Sequence, residues 1–434
     1  LGKAARDLDD HALAHRHLTE VTSAADAADA DAGVLMAAAE AHAWLAIGDI
    51  EHGDATGRGH TLSSVRLWTQ FSQTPPEDPG VCGRALDAMG AFCALLEARA
   101  VHGDQRLLLC RSGYRVALHR ESRDAGAECV GAGVMWLTWL ARECARSGTD
   151  DGAEEAAELF TLGAERCTLL GDLVPVHVRV MAATAYAEYL VCSSAGAGAD
   201  ERAWEVLEHA ACAVRQVDGI GGSGGRHARA RGRRRAVDAE WLATVARASV
   251  VHSLVARHCG ALADAVEYAL HAHRVVSALL QSLEAAEAAA AAEERRRRRA
   301  LLSAGQCEED DPFGPPAAQD AEEEQVGGLA PAGDWMLQRL AADCLAQLAH
   351  VHSVRGSVRE AEYFASRMLS VAAERLCAPR LALRARRLLA DILARRGALD
   401  ECSGLLETVA RDAEALEEEH AGGDLDGLLV EGDA

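Results

Sequence analysis

A chain of 434 residues that is 49% hydrophobic, 4% aromatic and carries a net charge of −23 has apolar material for a large core or an elongated stack. The acidity excludes a protein whose whole surface binds nucleic acid, and it suits a self-repelling surface. Alanine and leucine dominate and β-branched residues are sparse, a composition that favours helix. Lys3 is the only lysine, so the positive charge is almost entirely arginine. The thirteen cysteines form no C-x-x-C pair. Cys93, Cys129, Cys144, Cys259 and Cys344 lie inside apolar runs, which predicts buried, reduced thiols in a cytosolic or nuclear protein. No apolar run reaches the length expected of a membrane span, and no signal peptide opens the chain. The first residue is Leu1 rather than Met, and the sequence reads as a fragment of a longer protein.

Taken in order, residues 1–30 read as a short helix pair. His11 and His15 stand four apart on one helix face but lack the intervening H-E-x-x-H glutamate, so solvent-facing histidines are expected rather than a metal site. Residues 33–72 hold a hairpin in which Trp44, Ile47 and Gly48 match the W-x-x-L-G opening of a tetratricopeptide helix. Pro75, Pro76 and Pro79 end its second helix. Residues 82–101 and 107–118 form the next pair. Residues 131–145 are apolar, with Trp136 and Trp139 expected in the core. Gly148 closes that helix, and Asp150 and Asp151 open the next, where a helix N-terminus favours negative charge. Helices are expected over 153–170, 176–191 and 203–217. The segment GIGGSGGRHARARGRRRA then breaks the pattern. Its glycines lack the G-K-[ST] ending of a phosphate loop. Arg231, Arg233, Arg234 and Arg235 are its candidates for contact with an acidic partner or import receptor.

Residues 245–280, VARASVVHSLVARHCGALADAVEYALHAHRVVSALL, carry the clearest pattern. Apolar or small residues recur at three-and-four spacing, Gly260 marks the reversal, and Ala265 follows five residues later, where only a small side chain fits between two helices. The same grammar returns with Gly356 and Ala361, and more weakly at Gly397. Residues 303–333 are rich in Glu, Asp, Pro and Gly, the composition of disorder. The expected organisation is a helical-repeat region over 1–217, a Gly/Arg-rich flexible insertion over 218–238 and a helical hairpin over 239–290. A charged low-complexity insertion follows over 291–334, then tetratricopeptide-like repeats over 335–418 and an acidic tail over 419–434. The fold class is all-α: a superhelical stack of antiparallel hairpins interrupted by disordered insertions.

No catalytic constellation is legible. G-x-S-x-G, G-x-G-x-x-G after a strand, Walker and zinc-type patterns are all missing, so no catalytic, cofactor or metal residue is assigned. Carboxylates are read as solvated helix faces. Grooves between stacked hairpins are the expected source of specificity, with partners along the concave face.

The run YALHAHRVVSALLQSL at 268–283, the charged break after it, and the resumption with Trp335, Leu337, Leu340, the turn at Gly356 and REAEYFASRML at 359–369 resemble the helical region of fungal separase. The resemblance covers about 241–406, and 33–118 weakly. It implies a non-catalytic segment of a cysteine endopeptidase that cleaves the cohesin kleisin at anaphase. The segment would bind a securin-like inhibitor and the kleisin, in nucleus and cytoplasm. The family's caspase-like α/β domain, with its His–Cys dyad, has no counterpart here. Cys192-Ser193-Ser194 is similar to a C-S-S sequence near the family's nucleophile, but lacks the preceding strand and Gly; Gly59-His60 is read as a turn rather than a strand-end H-G. A stand-alone repeat adaptor of the cohesin-loader or anaphase-promoting-complex type is the alternative. Neither membrane association nor direct nucleic-acid binding is expected.

Overall fold

The computed structural model describes residues 11–24, 31–52, 57–99, 103–193, 198–220, 231–305 and 331–421. Among them the regular structure is helical throughout, with no strand. The α-helices are α1 (His11–Ala24), α2 (Ala32–His52), α3 (Gly57–Gln73), α4 (Pro79–Arg99), α5 (Gly103–Arg123), α6 (Ala127–Arg146), α7 (Asp150–Leu170), α8 (Val176–Cys192), α9 (Ala199–Ile220), α10 (Arg231–His258), α11 (Leu262–Gly305), α12 (Pro331–Val354), α13 (Val358–Ser370), α14 (Pro379–Arg396) and α15 (Leu399–Ala421).

Local chemistry explains the boundaries. Pro79 and Pro379 open α4 and α14, where a missing N–H costs nothing. The Thr149 hydroxyl accepts from the Gly152 N–H at 3.1 Å and caps α7. Three hairpins close alike. Gly260, Gly356 and Gly397 take φ of 79°, 81° and 84°, and the N–H of the next residue reaches back five positions: Ala261 to Ala256, Ser357 to His352, Ala398 to Leu393. That is a Schellman closure, which needs a residue tolerant of the left-handed region. In the first hairpin the buried Ser253 hydroxyl donates to the Ala265 carbonyl at 2.6 Å across the helix crossing, and both residues are fully buried. In the second, Ala349 and Ala361 hold the same two positions, also fully buried.

Most successive helices pack against each other, α3 packing on α5 rather than α4, and the even-numbered helices form a second set of contacts among themselves: α2 with α4, α6 with α8, α8 with α10, α10 with α12, and α12 with α14. This inner row curves enough for α4 to pack against α12. Glu97 of α4 is ion-paired to Arg142 and Arg146 of α6. Helices α4, α6, α8, α10 and α12 therefore form a closed five-membered inner ring. The odd helices lie outside it. Helices from the segments 1–217, 239–290 and 335–418 all contribute to this one ring.

The largest apolar core lies between the ring and the outer layer, around Trp68, Phe71, Met89, Leu96 and Trp136, and extends to Val251 and Val255 of α10. Trp136 is fully buried and meets Trp139 edge-on at 4.9 Å. Gly113 of α5 lies flat against the Trp136 ring; any Cβ there would sit inside it. A second core, around Leu345, Met368, Leu376 and Leu381, joins α12 to α14.

The structure departs from the sequence reading at several places. Residues 218–220 end α9, and α10 begins at Arg231, so the segment 218–238 is helical at both ends; 221–230 lies outside the described residues. Helix α11 continues through 291–305, because alanines and Glu–Arg pairs over 284–299 are good helix formers. Residues 306–330 lie outside the described residues, as do 1–10 and 422–434. Gly59-His60 falls in the first turn of α3 rather than in a turn between helices, with His60 Nδ1 2.9 Å from His42 Nδ1. Pro79–Glu97 is long and apolar enough to cross a membrane, contrary to the reading that no run was. Half of it is buried within the protein, and its end enters the ion network described below; it is a core helix of the ring. Cys259 is exposed at the Gly260 turn rather than buried, whereas Cys93, Cys129, Cys144 and Cys344 are buried and unbridged.

Candidate functional site

Every ring helix sends a charged side chain inward. The Glu97 carboxylate of α4 accepts from Arg142 at 3.0 Å and Arg146 at 2.9 Å, both on α6. Arg146 also reaches Glu143 at 2.5 Å, and Glu143 accepts from Arg106 of α5 at 3.1 Å. Arg247 of α10 bridges two neighbours, donating to Glu188 of α8 at 2.7 Å and Asp343 of α12 at 2.6 Å. Arg339 of α12 lies 3.5 Å from Asp343. Five arginines thus meet four carboxylates in two ion-paired groups, coupled where Arg247 and Arg142 both act on Glu188.

The side chains are shielded by protein but not dry: Glu97 is 25% exposed and Arg247 24%. Burial alone would raise the Glu97 carboxyl, but Arg142 and Arg146 outweigh it and hold it well below the usual carboxylate range. Glu188 is lowered in the same way against burial, by Arg247 and then Arg142. Asp343 is lowered against burial by Arg339, Arg247 and Arg384. Burial opposes the charge on Arg247, yet Glu188 and Asp343 raise its pKa above the ordinary arginine value. All these groups are ionised near neutrality, and the lumen is nearly balanced. The expectation that carboxylates mark solvated faces fails for Glu97, Glu143, Glu188 and Asp343. Their signal in the sequence is a carboxylate set in a largely apolar or small-residue run, as in ALLEA, ARECA, YAEYL and AADCL.

Beyond Asp343 the balance ends. Arg257 near the end of α10 and Arg384 and Arg395 of α14 all act on His350 of α12. Burial, and then these three cations, push the His350 imidazole down to about 4, so it is neutral at pH 7. None of the three arginines forms an ion pair with a described residue. Burial even lowers the Arg257 pKa, without a carboxylate to oppose it. This end of the ring, between α10, α12 and α14, is a positively charged mouth on an acidic protein.

Cys192 ends α8 beside this mouth. Burial and then Glu188 raise its thiol pKa, with Arg384, Arg257 and Arg247 opposing. A protonated thiol is a poor nucleophile, and no histidine acts on it. Gly260, Ala265, Gly356, Ala361 and Gly397 sit at hairpin turns and crossings, where they set the packing of α10 to α15 and do not line the lumen. Arg231, Arg233, Arg234 and Arg235 fall on the first turns of α10, with their side chains outside the described residues; His11 and His15 stand likewise on α1. Among the described residues no group of three His, Cys, Asp or Glu is placed to hold a metal.

No family model matches the chain, and no curated protein does. Among solved structures, a circular tandem repeat protein with novel repeat topology and enhanced subunit contact surfaces aligns over 97% of this chain and 95% of its own, at 15% identity and a TM-score of 0.28.

Proposed function

We propose that this chain is a non-catalytic helical scaffold that binds an acidic segment of a protein partner at the arginine mouth. The observation that carries the proposal is the trio Arg257, Arg384 and Arg395, which act together on His350 and have no ion-pair partner among the described residues. In the lumen, by contrast, Arg142, Arg146 and Arg247 are each matched by carboxylates. Arg384 and Arg395 are exposed and Arg257 half-buried, so an approaching carboxylate meets them without first displacing a protein partner. In this reading the partner engages the end of the ring at α10, α12 and α14.

The resemblance at 268–283 and 335–369 supports a narrower reading: the scaffold is the helical region of a separase. In that reading its acidic partner is a securin-like inhibitor or the cohesin kleisin, and catalysis belongs to another part of the parent protein.

Fluorescence anisotropy with a labelled glutamate-rich peptide tests the general reading. Binding should weaken by about tenfold between low and high salt, since exposed ion pairs are screened. Arg384→Glu with Arg395→Glu should remove it. Equal affinity for a glutamine-substituted peptide would defeat the proposal. The narrower reading is tested by mixing the chain with recombinant securin. Co-elution that is lost in the same double variant is the expected result; separate elution at micromolar concentrations would sink it.

A further inference from the structure

A cavity of about 500 Å³ lies between α6, α7, α8 and α9, remote from the arginine mouth. Its walls include Leu159, Phe160, Val206 and Tyr186. Phe160 and Tyr186 are stacked with centroids 5.7 Å apart, giving the cavity a rigid aromatic side. Its size falls within the range of small-molecule sites built between helices.

Two polar groups at this cavity have no adequate partner. Tyr186 is only 7% exposed, and its hydroxyl makes no hydrogen bond with a described residue. Arg179 lines the same space; its Nε is buried without a hydrogen-bond partner. Its only ion pair is with Asp172, at 3.8 Å, and that carboxylate is fully exposed. Such a contact contributes little. Thr138 and Thr168 are already satisfied by backbone carbonyls one turn back. His209 also lines the cavity, its Nδ1 engaged by the Glu205 carbonyl at 2.8 Å, so the cavity offers an apolar body, the Arg179 cation, the Tyr186 hydroxyl and an imidazole edge.

We propose that this cavity binds a monocarboxylate with an extended apolar body. The carboxylate pairs with the Arg179 guanidinium and accepts from the Tyr186 hydroxyl. The apolar part lies against Leu159, Phe160 and Val206. A neutral apolar ligand of the same size would leave Arg179 uncompensated, and a dianion would place a second charge against apolar walls.

The test uses the full chain, with dansyl-undecanoic acid and its methyl ester as probes. Dansyl fluorescence should rise saturably with the acid, and the ester should bind about tenfold more weakly, the equivalent of one charge-assisted contact. Arg179→Gln should bring the acid down to the affinity of the ester while leaving ester binding in place. Ala183→Phe, which fills the cavity, should abolish both, and a circular-dichroism melt verifies that this variant is folded. If it is not, Thr168→Leu serves instead. The proposal is overturned if neither probe binds saturably, if the preference for the acid survives Arg179→Gln, or if folded cavity-filling variants bind as the parent does.

Discussion

The lumen of the inner ring and its mouth use the same residue for opposite ends. In the lumen each arginine is matched: Arg247 spans Glu188 and Asp343, and Arg142 and Arg146 share Glu97. At the mouth, Arg257, Arg384 and Arg395 surround a histidine that they help keep neutral. The first arrangement ties five helices from distant parts of the chain into one body. The second leaves charge available. Arginine in this protein cannot be assigned a role from its type; what decides is whether a carboxylate from a neighbouring ring helix reaches it.

The sharpest way to break the comparison is to empty one side of a lumen pair. Glu97→Gln leaves Arg142 and Arg146 facing each other without their shared carboxylate. Removing one partner of such a shielded pair costs about 3–5 kcal/mol. Urea unfolding should show that loss, and a change under about 1 kcal/mol would mean that α4 and α6 are held by apolar contacts alone.

Acid acts on both regions, in two windows. His350 falls from an ordinary value of 6.5 to about 4 in the folded protein. The unfolded chain therefore binds the extra proton first, and stability declines as pH falls from about 6.5 towards 4, by at most about 3 kcal/mol. His350→Gln should flatten that part of the profile. Glu97, Glu188 and Asp343 have lowered values, so their contribution is present above the ordinary carboxylate range and is lost only as pH falls below it. Unfolding midpoints measured across pH 3 to 7 separate the windows; a profile level down to pH 5 would contradict the His350 environment.

Packing around the ring offers a charge-free control. Gly113→Ala drives a methyl group into the Trp136 ring and should cost about 1–3 kcal/mol, read from the same urea curves. Its peptide affinity should not change, because the mouth lies elsewhere. Smallest of all should be Arg395→Gln, whose effect on stability should stay within about 0.5 kcal/mol while peptide binding weakens.

The helical class was legible because alanine and leucine favour one backbone state, and because a left-handed turn needs a residue such as Gly260 or Gly356. The small contact residues Ala265 and Ala361 follow from the same periodicity. The ring was not legible. Glu97, Glu188, Arg247 and Asp343 come from four helices far apart in sequence, and no local pattern encodes which helix faces which. Only their apolar neighbours hint that they point inward, and in so alanine-rich a chain that hint is easily taken for an ordinary amphipathic face. The basic segment near Arg231 drew attention because its arginines are consecutive. Arg257, Arg384 and Arg395 are scattered over two helices and meet only in three dimensions.

The most direct test is a matched pair of unfolding curves for Arg247→Met and Arg384→Met. Both substitutions remove one guanidinium and keep much of the apolar stem. Arg247→Met should cost about 3–5 kcal/mol, because Glu188 and Asp343 lose their common partner, whereas Arg384→Met, which removes only a distant charge from Asp343, should cost under about 1 kcal/mol. Equal losses in the two variants would contradict the division between a self-paired lumen and a free mouth.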